Sequence, residues 1–191
     1  MIAAPPVLTV RAATPGDVPM LEQLIERSTR QLSQAHYTAE QIEAAVAHVF
    51  GVDGELIADG TYLVAEAGGD LAGCGGWSRR RTLFGGNRFA GRTGGLLNPA
   101  TDAARIRAFF VEPGHVRRGI GQTLLMACEG AARAAGFRGL KLMATLPGEP
   151  FYRAAGYIAD PVSIVEAGDV AIPFVPMHKI SDLSSTRIIA T

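Results

Sequence analysis

The chain has 191 residues, 48% of them hydrophobic and 19% charged, with 18 basic side chains against 18 acidic ones. Such a composition specifies a folded globule with a substantial core and excludes a disordered chain. Zero net charge supplies no global field toward nucleic acid or an anionic membrane, and no stretch is long and apolar enough to span a bilayer.

The two cysteines, Cys74 and Cys128, lie far apart in apolar or glycine-rich runs, which reads as buried thiols rather than a disulfide or a metal site. The opening residues, MIAAPPVLTV, lack the basic flank and long apolar core of a secretory signal, so a cytoplasmic protein is the expectation.

In chain order, Val7 to Ala12 reads as a first strand, and Thr14-Pro15-Gly16-Asp17 as a turn with Asp17 at the N-cap of a helix running to about Gln31. Leu21, Leu24, Ile25 and Ser28 share one face of that helix. Thr38-Ala39-Glu40-Gln41 is a capping box that opens a second helix, with Ile42, Ala45, Val46 and Val49 as its buried stripe and Gly51 at its end. Thr61–Ala67 and Leu71–Ser78 flank Gly68-Gly69-Asp70 as a β-hairpin. Glu66 falls inside the first of these strands, where an exposed strand carboxylate is the simpler reading.

Residues 79–103 are irregular and glycine-rich, with five arginines against one acid, Asp102. They read as a solvated, mobile insertion, or more sharply as a cationic flap over an anionic ligand. Arg105 to Val111 then forms a strand that Pro113 and Gly114 stop. Val116-Arg117-Arg118-Gly119-Ile120-Gly121-Gln122 leads into a helix bearing Ile120, Leu124, Ala127, Cys128 and Ala131 on one face. A strand, a basic glycine turn and a helix N-terminus make an anion site, because the first helical N–H groups are unpaired and the macrodipole favours negative charge. The turn is no nucleotide P-loop, and Leu124 stands where a dinucleotide fingerprint needs its third glycine. Leu140–Leu146 alternates like a strand, parallel to the one ending at Val111 through a βαβ crossover. Glu149-Pro150 opens a short helix closed by Gly156, and Tyr157–Val165 with Phe174–Ile180 form a closing antiparallel pair with Pro173 and Pro176 near an edge. Residues 181–191 read as a loose tail or as an exchange element in a homodimer.

Val111-x-Pro113, Arg118-Gly119-Ile120-Gly121 and Phe151-Tyr152-Arg153-Ala154-Ala155-Gly156-Tyr157 together resemble the GNAT superfamily of acetyl-CoA-dependent N-acetyltransferases. The Arg-x-Ala-Thr-x-x-Asp segment from Arg11 to Asp17, followed by a leucine-rich helix, is similar to the start of such chains. Val116 departs from the Gln or Arg that usually opens the phosphate signature. The resemblance implies a single α/β domain, with a mixed, mostly antiparallel sheet and a central parallel strand pair flanked by helices. It implies acetyl-CoA as co-substrate without a metal, and a small-molecule or peptide amine as acceptor. By matching positions, Phe109, Phe110 and Val111 would line the pantetheine arm, with the Val111 N–H polarising the thioester. Val116, Arg117, Arg118, Gly119, Ile120, Gly121 and Gln122 would hold the diphosphate, and Tyr152 would protonate the leaving thiolate. The glutamate base of some relatives is replaced by Arg105, and the Asn that many have after the fifth strand by Thr145-Leu146. Glu66, Glu112 and His115 are the candidate bases, with His36 an outside candidate. A CoA-binding sensor without turnover and a nucleic-acid module built on the arginine-rich insertion are the competing classes.

Overall fold

In the computed structural model, which describes residues 8–180, the chain runs β1 (Leu8–Ala12), α1 (Val18–Leu32), α2 (Ala39–His48), α3 (Gly54–Ala58), β2 (Tyr62–Ala67) and β3 (Asp70–Ser78). It continues with β4 (Ala103–Val111), α4 (Ile120–Ala134), β5 (Gly139–Ala144), α5 (Glu149–Ala154), β6 (Ile158–Ala159), β7 (Ser163–Ala167) and β8 (Val170–Ile180). The sheet order is β1-β2-β3-β4-β5-β8-β6, with β7 also paired to β8. Every pairing is antiparallel except β4 with β5. Val7 and the proposed exchange tail lie outside the described residues.

The apolar faces of the helices decide the layers. The expected stripe of α1, Leu21, Leu24, Ile25 and Ser28, is buried and packs with Tyr62, Val64 and Cys74 on one face of the sheet. Helix α4 covers the other face through Ile120, Leu124, Leu125, Cys128 and Ala132. Its stripe is rotated from the expected one: Ala127 is exposed, while Leu125, Glu129 and Ala132 are buried. Glu129 is tolerated there because Lys179 Nζ and the Tyr157 hydroxyl donate to its carboxylate at 3.0–3.1 Å.

Several expectations change. Asp17 stands at the N-cap of α1 without capping it, because its carboxylate turns back to the Thr14 N–H and hydroxyl and to Arg11. Helix α3, capped by the Asp53 side chain accepting from the Glu55 N–H, is an element that the apolar periodicity did not reveal. Pro173 and Pro176 lie on an interior strand, yet among the described residues each has a strand partner on one side alone, Ile164 of β7 and Met143 of β5, as at an edge. β8 is flanked by β5 on one side and by β6 and β7 on the other, and Pro176 sits where β6 leaves the ladder, its carbonyl accepting from the Asp160 N–H.

The insertion is neither a solvated loop nor a free flap. Arg80 makes a bidentate pair with Asp59 at 2.7 Å, Arg88 pairs with Glu22, and Arg92 reaches Asp53 at 3.1 Å and also Glu55. The Gly86 and Asn87 N–H groups donate to Val49 and Val52 carbonyls, and Phe84 and Phe89 pack against Phe174 and its neighbours. Three of its five arginines are thus committed within the fold, which removes most of the charge that the flap and nucleic-acid readings needed.

Candidate active site

The site grows from an irregularity in β4. Residues Cys74 and Gly76 on β3 face Phe110 and Arg107, so Ala108 and Phe109 together oppose Gly75 alone, a β-bulge. Ala108 takes a left-handed φ of 56° to make it. A Cβ on Gly75 would lie 2.6 Å from the Phe109 ring, so only glycine lets that ring lie across β3. The bulge shifts the face alternation by one residue: Ile106 and Phe109 pack on the α4 side, while Ala108 and Phe110 pack on the α1 side. The glycines of β3 carried a readable sign of such a close approach; alanine at the bulge carried none.

From Ile106, just before the bulge, β4 and β5 separate. Their parallel pairing covers only Ala103–Arg105 against Gly139–Lys141, so Ile106–Val111 has no strand partner on that side. The Glu112 N–H donates to the Ala72 carbonyl of the β3 side at 2.9 Å. Because backbone groups alternate along a strand, the N–H groups of Phe109 and Val111 point the other way, into the gap.

The turn after β4 supplies a second set of open donors. None of the backbone N–H groups from Val116 to Gln122 has an acceptor among the described residues, and the Thr123 N–H is the first to close the helix, onto Gly119 O at 2.9 Å. Arg117 (φ 61°) and Gly119 (φ 80°) bend this backbone into a concave nest. Arg117 and Ala108 are the two non-glycine residues with positive φ among those described, a strain of order 1–3 kcal/mol each that collects at functional backbone. Val116, Arg117, Arg118 and Gly119 are exposed, and Ile120 is buried and anchors the helix start. Gly121 faces the Phe151 ring and Val111. Seven adjacent free donors at a helix N-terminus fit a diphosphate without help from a Val116 side chain.

Helix α5 brings Tyr152 to the gap. Its ring centroid lies 6.4 Å from Phe109, 5.0 Å from Phe151 and 5.7 Å from Tyr157. No described residue bonds its hydroxyl. Burial pushes the phenol well above the usual tyrosine range, so it holds its proton at neutral pH. Tyr157, by contrast, is committed: its hydroxyl donates to Glu129 at 3.0 Å.

The chain matches the family model described as Acetyltransferase (GNAT) family over residues 19–157. It belongs to the GNAT acetyltransferase family. Among solved structures, a GCN5-related N-acetyltransferase from Rhodopseudomonas palustris is similar at 25% identity with a TM-score of 0.68, covering 94% of this chain and 98% of that one. PaiA N-acetyltransferase from Thermoplasma acidophilum, in complex with coenzyme A, gives 16% identity, a TM-score of 0.60 and coverage of 91% and 99%. A GNAT family acetyltransferase from Brucella melitensis, in complex with acetyl-CoA, gives 22%, 0.52, and 80% and 84%. No curated protein matches the chain significantly.

For this acetyltransferase the expected base candidates divide. Glu66 accepts from Arg11 Nε and a terminal nitrogen at 3.0 and 2.7 Å, on a strand separated from β4 by β3. Its position ties β1 to β2 rather than facing Tyr152. Glu112 is held by Arg27 at 2.8–3.3 Å. His115 has an enclosed Nδ1 without a partner among the described residues, and His36 is exposed. Tyr37 had no assigned role: its hydroxyl accepts from the Leu146 N–H and donates to the Pro173 carbonyl, both at 2.9 Å, pinning the end of β5 to β8. Burial pushes that phenol up to about 12. No helix among the described residues is long and apolar enough to cross a membrane.

Proposed function

We propose that the protein transfers an acetyl group from acetyl-CoA directly to a primary amine, with Tyr152 as general acid. The observation that carries this is the run of unpaired N–H groups from Val116 to Gln122, next to the β4–β5 gap toward which strand alternation directs the Phe109 and Val111 N–H groups. Acetyl-CoA brings an activated thioester, so the chain has to bind, orient and polarise it and manage two protons. The turn residues hold the diphosphate, with Arg117 and Arg118 adding charge at its rim. Phe109, Phe110 and Val111 form the edge along which the pantetheine arm lies. The Val111 N–H polarises the thioester oxygen, and its fixed direction means it needs no reorganisation. Tyr152 donates its proton to the departing sulfur.

Direct transfer is favoured over a cysteine-bound intermediate because both thiols are buried and hard to ionise. Burial raises Cys74 to about 12 and Cys128 further. Glu66 and Glu112 are engaged by arginines, which leaves His115 or solvent to take the amine proton.

Thermal unfolding with acetyl-CoA and with desulfo-CoA tests the binding part, since a ligand of the native state alone stabilises by mass action. Both should raise the Tm, and thiol release against a panel of amines should follow. Absence of any shift at millimolar cofactor would remove the reading.

A further inference from the structure

The face of the sheet opposite α4 carries positive charge that the fold does not neutralise. Residues paired across adjacent strands point their side chains to the same face, and the register places Arg105, Lys141 and His178 side by side on β4, β5 and β8. Arg107, two residues along β4 on the same face, has a counter-charge, although its own Nε and Nη1 are likewise enclosed and unbonded. It is 1% exposed, with Asp53 against its guanidinium and the Gly85 carbonyl accepting at 3.0 Å. Arg105 has no such arrangement. It is half-buried, its Nε is enclosed and unbonded, and no carboxylate among the described residues pairs with it. Asp102, whose charge acts on it, accepts from the Asn98 N–H instead at 2.8 Å, while Arg81 adds repulsion. Burial accordingly lowers the Arg105 pKa from its ordinary value. Lys141 is exposed and also lacks an ion pair among the described residues, and His178 is met by Asp160 at 3.2 Å.

We propose that Arg105, assisted by Lys141, binds a carboxylate carried by the acceptor, so that the substrate is an amino acid or another amine bearing an acid group. This rests on the acetyltransferase reading. With the diphosphate on the α4 side, the opposite face is the one left for the acceptor. Arg105 precedes Val111, whose N–H faces the thioester, by six residues, ~20 Å of extended strand, which the bulge shortens and a guanidinium arm plus the chain of an ω-amino acid can span. A planar guanidinium with free donors takes a carboxylate in bidentate fashion and restores the counter-charge that the fold omits.

Bisubstrate analogues give a test that needs no turnover. CoA is joined through an S-acetyl spacer to the amine of ω-amino acids of increasing length, each made as the free acid and as the carboxamide, and dissociation constants are measured by calorimetry. For at least one length the acid should bind about tenfold more tightly than its amide, the size expected of a hydrogen bond to a charged group. The ratio should fall toward one in Arg105→Gln, survive largely in Arg105→Lys, and shrink with added salt. Desulfo-CoA affinity, measured in each variant, should stay unchanged and reports that the protein is folded. Equal binding of acid and amide at every length, or a preference that persists in Arg105→Gln, overturns the carboxylate site while leaving cofactor binding in place. Failure of wild type to bind desulfo-CoA would instead overturn the acetyltransferase reading on which it rests.

Discussion

The two sides of the β4–β5 gap are built from different materials. The side we propose for the cofactor is mostly backbone: open N–H groups from Val116 to Gln122, shaped by two left-handed residues, and a bulged strand edge along the gap. The opposite side, where we propose the acceptor binds, is mostly side chains: an aromatic series of Phe110, Phe50, Phe174, Phe84 and Phe89, the buried Arg107–Asp53 pair and the uncommitted Arg105. Backbone recognition tolerates changes of side chain as long as the turn keeps its shape, as Val116 in a Gln or Arg slot illustrates. Side-chain recognition does not, and this is where a shared fold acquires a particular acceptor.

The largest expected effect breaks the acceptor side. Asp53→Ala removes the nearer counter-charge of Arg107, which is sealed from water and keeps only Glu55 at 4.0 Å, and one of the two carboxylates on Arg92. Removing one partner of a buried pair costs about 3–5 kcal/mol, so urea unfolding should show a loss of that order, with the insertion released along with it. Next comes the cofactor side. Gly121→Glu puts a carboxylate at the helix N-terminus beside Phe151, and acetyl-CoA affinity should fall about a hundredfold, equivalent to about 2.7 kcal/mol. An unchanged Kd in that variant would place the phosphates elsewhere.

Tyr152 and Tyr157 sharpen the contrast between chemistry and packing within one short segment. Tyr152→Phe keeps the ring contacts and loses a hydroxyl that bonds nothing described, so stability and CoA affinity should stay near normal while kcat drops about a hundredfold. Tyr157→Phe should do the reverse, losing about 1–2 kcal/mol of stability with the Glu129 bond while kcat changes little. Wild-type turnover in Tyr152→Phe, with chemistry rate-limiting, would move the acid role to water or another donor.

The smallest effect concerns how the insertion is fastened. The Arg80 guanidinium holds the Asp59 carboxyl below its usual range. A carboxyl depressed in the folded state stabilises above its unfolded pKa and loses that contribution as pH falls through the folded value. The stability difference between wild type and Arg80→Gln should therefore be present at neutral pH, under about 1 kcal/mol for so accessible a pair, and vanish in strong acid.

How much of this the sequence revealed follows the same division. The turn from Val116 to Gln122 was legible as structure because its signals are local: a strand stop, a glycine turn and a helix start lie within a few residues of one another. The Tyr152 segment was legible for the same reason, as a short motif on one helix. The bulge was half legible, since the glycines of β3 signal a close approach but Ala108 has no sequence mark of a positive φ. The insertion was misread because its arginines are neutralised by residues remote in sequence: Asp59, Glu22 and Asp53. Local charge counting cannot see such partners. Glu66 was open for a related reason, its fate being set by Arg11 across the β1–β2 pair.

Amide hydrogen exchange, read residue by residue in the presence and absence of acetyl-CoA, tests the backbone cradle most directly. The N–H groups from Val116 to Gln122, unpaired in the free protein, should exchange fast alone and become strongly protected with cofactor, together with Val111. Arg117→Ala and Arg118→Ala should preserve that protection with only a modest loss of affinity. Unchanged exchange across Val116–Gln122 at saturating acetyl-CoA would contradict the account.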